Sequence, residues 1–146
     1  MPLINFKERF VPLIESGKKR QTIRIKRKNP IKAGDRLILS TGARTKQFRY
    51  LFPPNCDTET INTRNYKKYP RGVIYRPVIF CISADYIIIK EHMIKILVKP
   101  YSKIILRNTI EMNDFAKADG FNNEDDFFKF FLTPRYKDKF PQLIKW

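Results

Sequence analysis

The sequence is poor in the residues on which several kinds of protein depend. Of 146 residues only two are cysteine, Cys56 and Cys81, and one is histidine, His92. Two cysteines cannot build a disulfide framework or a four-ligand zinc site. A His-based triad would have to use His92, which sits in strand-like sequence and reads as an ordinary structural or surface histidine. Cys81 lies in an apolar stretch and reads as core; Cys56 has no local basic partner to lower its pKa. Five glycines disfavour Gly-rich designs, and neither G-x-x-x-x-G-K-[ST] nor G-x-S-x-G occurs. No metal constellation is visible and no cofactor is expected. There is no apolar run of 18 residues, so no membrane span is expected. Met1 to Glu8 lacks a basic stretch followed by an apolar one, so a signal peptide is not expected either. The expectation is a cytoplasmic basic protein.

Acid is scarce as well. The chain carries 30 Lys and Arg against 14 Asp and Glu, a net charge of +16. A balance this lopsided points to a polyanionic partner. Residues 1–50 hold 14 basic and 3 acidic side chains, 51–110 hold 10 and 4, and 111–146 hold 6 and 7. The positive field thus belongs to the first two thirds. From Lys18 to Lys28, seven of eleven residues are cationic. With 42% apolar and 14% aromatic residues, the chain can still build one core, and a single domain over 1–146 is expected.

The pattern reads as mixed α+β, mainly β. Phe6, Phe10, Leu13 and Ile14 recur at helical spacing and Gly17 stops them, with Pro12 confining the helix to about 10–16. Gln21 to Arg27 alternates as a strand with Ile23 and Ile25 inward, and Thr22, Arg24 and Lys26 on the other face. Arg36–Thr41 reads as a second strand and Thr45–Phe52 as a third. Pro53–Pro70 reads as a long loop, part of an insertion over about 53–72. Strands follow at 73–82, 85–90, 93–98 and 103–106. Asn108 with Glu111 resembles a capping box for a helix over 109–119 stopped by Gly120. A second helix over 123–132 has Glu124, Asp125 and Asp126 in its first turn. Gln142–Trp146 closes as a strand. Many short strands in succession suggest a barrel or sandwich.

Chemistry concentrates in Gly17-Lys18-Lys19-Arg20-Gln21-Thr22-Ile23-Arg24. Here a helix end meets a strand start, and backbone N–H groups and cations can converge on an anion. Like charges around Lys19 disfavour its protonated form, so it can activate the Thr22 hydroxyl. Alternatively these lysines hold phosphates and Thr22 merely begins a strand.

The same segment resembles the signature of the ASCH domain family, related to the PUA domain. Ile4-Asn5-Phe6-Lys7-Glu8-Arg9-Phe10, Ile31-Lys32-Ala33-Gly34-Asp35-Arg36-Leu37 and Thr41-Gly42-Ala43-Arg44-Thr45-Lys46 resemble its phage and prophage branch. So do Phe115-Ala116-Lys117-Ala118-Asp119-Gly120-Phe121 and Leu143-Ile144-Lys145-Trp146. The resemblance covers about 1–50 and 107–146. It implies a small β-barrel with flanking helices, a cleft near the Gly-Lys motif, and binding of RNA or nucleotides. Some bacterial members remove the acetyl group from N4-acetylcytidine, and another is described as a ribonuclease. Carried over, the amidohydrolase pattern implies Lys19 as base, Thr22 as nucleophile and Arg24 beside them. Its glutamate falls nearest Asp119, with Glu111 as a substitute.

RNA, a nucleotide or a single-stranded nucleic acid is therefore the expected ligand. Gly17, Lys18, Lys19, Arg20, Arg24, Lys26, Arg44 and Lys46 are expected to line one basic surface. Tyr50, Phe52, Tyr66 and Tyr69 are candidates for base stacking. The competing classes are the N4-acylcytidine amidohydrolase, a ribonuclease, and a phage-type interaction module that takes an acidic protein partner.

Overall fold

The computed structural model describes residues 1–25, 27–62, 73–90, 93–98, 102–134, 136 and 141–146. Among these residues the architecture is mixed α+β and mainly β, with two sheets and three α-helices. The chain divides into two compact units, one of Met1–Gly17 with Arg36–Phe80 and one of Lys18–Asp35 with Cys81–Trp146.

The first unit is built on β3 (Arg36–Thr41). On one side β1 (Leu3–Phe6) runs parallel to it, from Leu3 opposite Ile38 to Phe6 opposite Thr41. The other side is shared. Arg36 and Leu37 pair with β6 (Val73–Phe80), and Ser40 and Thr41 pair with β4 (Arg49–Tyr50). β5 (Asp57–Asn62) completes the sheet along β6. Alternation in β1 and β3 buries Ile4, Phe6, Leu37 and Leu39 on one face. Between β1 and β3 lie a 3₁₀ turn at Glu8–Phe10 and α1 (Val11–Glu15), where Pro12 sits in the first turn that tolerates it. Glu59 ion-pairs with both Arg36 and Arg76, and the two guanidiniums hold its carboxyl below the ordinary carboxylate range.

The second unit is an antiparallel sheet in the order β2 (Gln21–Arg24), β10 (Gln142–Lys145), β7 (Ser83–Lys90), β8 (Met93–Val98), β9 (Ser102–Leu106). Its core joins Ile23, Ile87, Ile94, Ile96 and Leu143 of the sheet to Met112, Ala116, Phe127, Phe128 and Phe131 of α2 (Thr109–Ala118) and α3 (Glu124–Phe131). Phe127 is fully buried and meets Phe115, Phe121 and Phe128 edge-on, a geometry that aromatic quadrupoles favour. Both helices are capped by an asparagine, the first as the sequence implies. The Asn108 side chain accepts from the Glu111 N–H at 2.8 Å, and that of Asn123 from the Asp126 N–H at 2.9 Å. Asn123→Ala is expected to lower stability by about 1 kcal/mol, read as a shifted urea midpoint at constant slope.

The expected barrel is corrected. The described strands form two open sheets, one ending at β1 and β5 and the other at β2 and β9. Closure needs every edge paired at a consistent tilt and stagger, and no described pairing joins those ends. Other differences are local. The third strand shrinks to Arg49–Tyr50, because Gly42 to Gln47 is taken up by turns: Thr45 N–H donates to the Gly42 carbonyl at 3.0 Å. A side chain on Gly42, at φ +62°, would lie 2.6 Å from the Gln47 carbonyl oxygen, so only glycine fits. The loop expected over Pro53–Pro70 is irregular only to Cys56 and then contains β5, whose Thr58, Thr60 and Ile61 suit a strand, while 63–72 lies outside the described residues. β2 stops at Arg24, so Ile25 falls beyond it and is half-buried.

Candidate functional site

The centre of the second unit's polar chemistry is a buried ion pair. Lys19 is 2% exposed and Asp119 3%. The Lys19 Nζ donates to Asp119 Oδ1 at 3.1 Å and also to the main-chain carbonyl oxygen of the same residue. Asp119 closes α2. Beyond it Gly120, at φ +85°, lets Phe121 N–H reach the Ala116 carbonyl at 2.9 Å and Gly120 N–H reach that of Lys117 at 2.9 Å. This is the left-handed helix stop that glycine permits. Lys19 thus supplies a cation to the negative end of the helix and binds both of the oxygens that Asp119 presents there.

Electrostatics at the pair are set by burial. Loss of solvent pushes the Asp119 carboxyl up to about 6, while Lys19 and, more weakly, Arg24 pull it the other way. The neighbour found at Lys19 is therefore a carboxylate, which corrects the expectation that like charges dominate its surroundings. Gln21, not singled out from the sequence, is tethered to the same helix: its Nε2 donates to the Phe115 carbonyl at 3.4 Å. The signal was available, since Gln21 lies two residues from Lys19 on an alternating segment.

Alternation in β2 puts Gln21 and Ile23 toward α2, and Thr22 and Arg24 on the other face. Thr22 is buried opposite Ile144, and its hydroxyl makes no hydrogen bond among the described residues. The structure therefore joins Lys19 to Asp119 without bonding either to Thr22. Glu111, the substitute carboxylate, is exposed in the first turn of α2. Eight residues of helix, about 12 Å, separate it from Asp119, so it is not brought to Lys19.

Lys18 and Arg20 are exposed on either side of Lys19. Gly17, at φ +76°, ends the first segment of the first unit. Arg44 and Lys46 are exposed in the turns after β3 of that unit, Arg44 at φ +69°. Tyr50 is half-buried and Phe52 exposed. Lys26, Tyr66, Tyr69 and His92 lie outside the described residues. Burial pushes the Cys81 thiol up to about 11 and also raises that of Cys56, so neither is a ready thiolate at neutral pH. Among the described residues no group of His, Cys, Asp and Glu could hold a metal ion, and no helix is long and apolar enough to cross a membrane.

Comparison with protein-family models, with curated proteins and with solved structures returns no match to the chain.

Proposed function

We propose that the chain is a cytoplasmic RNA- or nucleotide-binding protein of the ASCH type, which takes its ligand at the segment from Lys18 to Arg24. The observation that carries this reading is the order exposed, buried, exposed at Lys18, Lys19 and Arg20. Lys19 anchors the backbone to the end of α2, and its two cationic neighbours are left facing solvent. A cationic edge held from within needs little ordering when an anion arrives. The surroundings agree in charge: Lys18–Asp35 holds eight basic residues and one acidic residue, Asp35.

The test is a titration with short RNA, single-stranded DNA and duplex DNA at two salt concentrations. Affinity is expected to fall steeply with salt, because phosphate contacts release counterions. The double variant Lys18→Ala, Arg20→Ala is expected to weaken binding across sequences and to reduce the log–log salt slope by about two. Salt-independent binding, or none at low salt, overturns the reading. Preference for an acidic protein over every nucleic acid would point instead to the interaction module.

The contact between Lys19 and Asp119 favours a second reading, the N4-acylcytidine amidohydrolase. A lysine can act as a base only after shedding its proton. A carboxylate whose affinity for a proton is raised, and which already accepts from that ammonium, is the group to receive it. No comparable observation favours a ribonuclease.

A further inference from the structure

The two faces of the first sheet differ. One carries Ile4, Phe6, Leu37 and Leu39 and is buried. On the other, register and alternation place Phe80 opposite Arg36, Leu3 opposite Ile38, and Tyr50 opposite Ser40. This second face is open at Phe80, 55% exposed, and at Leu3, 37%, while Tyr50 is half-buried and Ser40 opposite it is fully buried. Arg76, four residues before Phe80 on β6, shares the face, and Glu59 of β5 lies opposite it. Glu59 grips both guanidiniums, so two arginines are held in place on the face that carries an exposed ring.

We propose that this face is a stacking platform for single-stranded nucleic acid. An exposed phenyl ring offers a base an apolar surface, and guanidinium groups beside it add cation–π attraction and contacts to the backbone. Tyr50 supplies a second ring, propped edge-on by Phe48 at 5.1 Å between centroids. It lies opposite Ser40, four residues along β3 from the partner of Phe80, a separation of about 13 Å that lets the two rings take different bases of one strand. Charge fits this occupant. The first unit holds 11 basic and 4 acidic residues. Three of those acids are already engaged: Glu8 accepts from Thr41, Glu15 pairs with Arg49, and Glu59 with the two arginines. A phosphate chain would meet little uncompensated negative charge. The platform stands on residues and a unit separate from the Lys18–Arg24 segment, and does not depend on that reading.

An eight-nucleotide oligouridine RNA and a short RNA duplex, both fluorescein-labelled, test the proposal by anisotropy. Phe80→Ala is expected to cut oligouridine affinity by about 5- to 150-fold, with the salt slope and the duplex affinity unchanged. Lys18→Ala with Arg20→Ala changes the salt slope instead, so the two sites fail separately. Phe80 is more than half exposed, so the variant should fold, which its circular dichroism checks. Phe80→Trp is expected to keep affinity and to be quenched by oligouridine, a signal separable from buried Trp146 by comparison with the unsubstituted chain. Oligouridine binding unaltered in Phe80→Ala, no quenching of Phe80→Trp at saturation, preference for the duplex, or no oligouridine binding each overturns the platform.

Discussion

Asp119→Ala is expected to destabilise the fold by about 3–5 kcal/mol, far more than a typical polar substitution. The change leaves the Lys19 ammonium 2% exposed and stripped of the carboxylate at 3.1 Å. The converse change should be milder. In Lys19→Met the carboxyl that remains is one that burial already inclines to hold a proton, and a neutral acid costs far less to bury than an ion. The double variant should recover part of the loss, and urea unfolding of the four proteins measures the coupling. A cost below about 1 kcal/mol for Asp119→Ala would mean that water reaches the pair.

The acid dependence carries its own sign. The Asp119 carboxyl binds its proton more tightly folded than in the unfolded chain, where an ordinary value near 4 applies. Its contribution therefore favours the fold at low pH and is lost as pH rises toward about 6. Relative to Asp119→Asn, the unsubstituted chain should gain stability as pH falls from 7 to 4. Glu59 behaves oppositely: its lowered carboxyl pKa gives stability above the ordinary carboxylate range that disappears in acid. Profiles of Asp119→Asn and Glu59→Gln that diverge in the same direction would contradict this assignment.

On the amidohydrolase reading, N4-acetylcytidine should yield cytidine and acetate, and Thr22→Val should reduce turnover by at least 100-fold. This mechanism needs Thr22 Oγ1 to attack the acetyl carbon and its proton to reach Lys19, although in this structure Lys19 is bonded to Asp119 and not to Thr22. The C–N bond breaks, the leaving amine takes up a proton, and water releases acetate from the acyl-threonine. On the same reading Arg24, which shares the Thr22 face of β2, would stabilise the oxyanion. Valine matches threonine in shape, so it removes the nucleophile and leaves the strand intact; Thr22→Ser should retain turnover. Cytidine release followed by chromatography decides the matter. Turnover that survives Thr22→Val excludes the mechanism, and no turnover in the unsubstituted chain leaves the binding reading alone.

Elements whose signals are local were legible in the sequence. Asn108 announces a helix because an N-cap acts within three residues, and β-branched runs announce β6 to β9 because pleated packing suits them. β5 was hidden because Asp57, Glu59 and Asn62 look like loop, and its strand character comes from pairing with β6 along six positions. Closure into a barrel was not legible, since alternation fixes which face is buried and says nothing of which edges meet. At the site, the choice between Asp119 and Glu111 could not be made from spacing. It turns on which end of α2 reaches Lys19, a contact a hundred residues long in sequence. The open face around Phe80 was invisible for a related reason: its membership depends on register between β3 and β6.

The chain threads its two units by turns, and this has a consequence during synthesis. Among the described residues β2 has one neighbouring strand, β10, which leaves the ribosome more than a hundred residues later. Lys19 must likewise wait for Asp119. Until then the most cationic stretch of the polypeptide is extended, unpaired and next to the polyanion that makes it. β1 and β3 can zip together early, and β7, β8 and β9 can pair in succession, but β2 cannot join the second sheet until β10 emerges. Nascent copies cut short before residue 142 should therefore cling to ribosomal RNA through Lys18–Lys28, and only the finished strand can pull that segment into register.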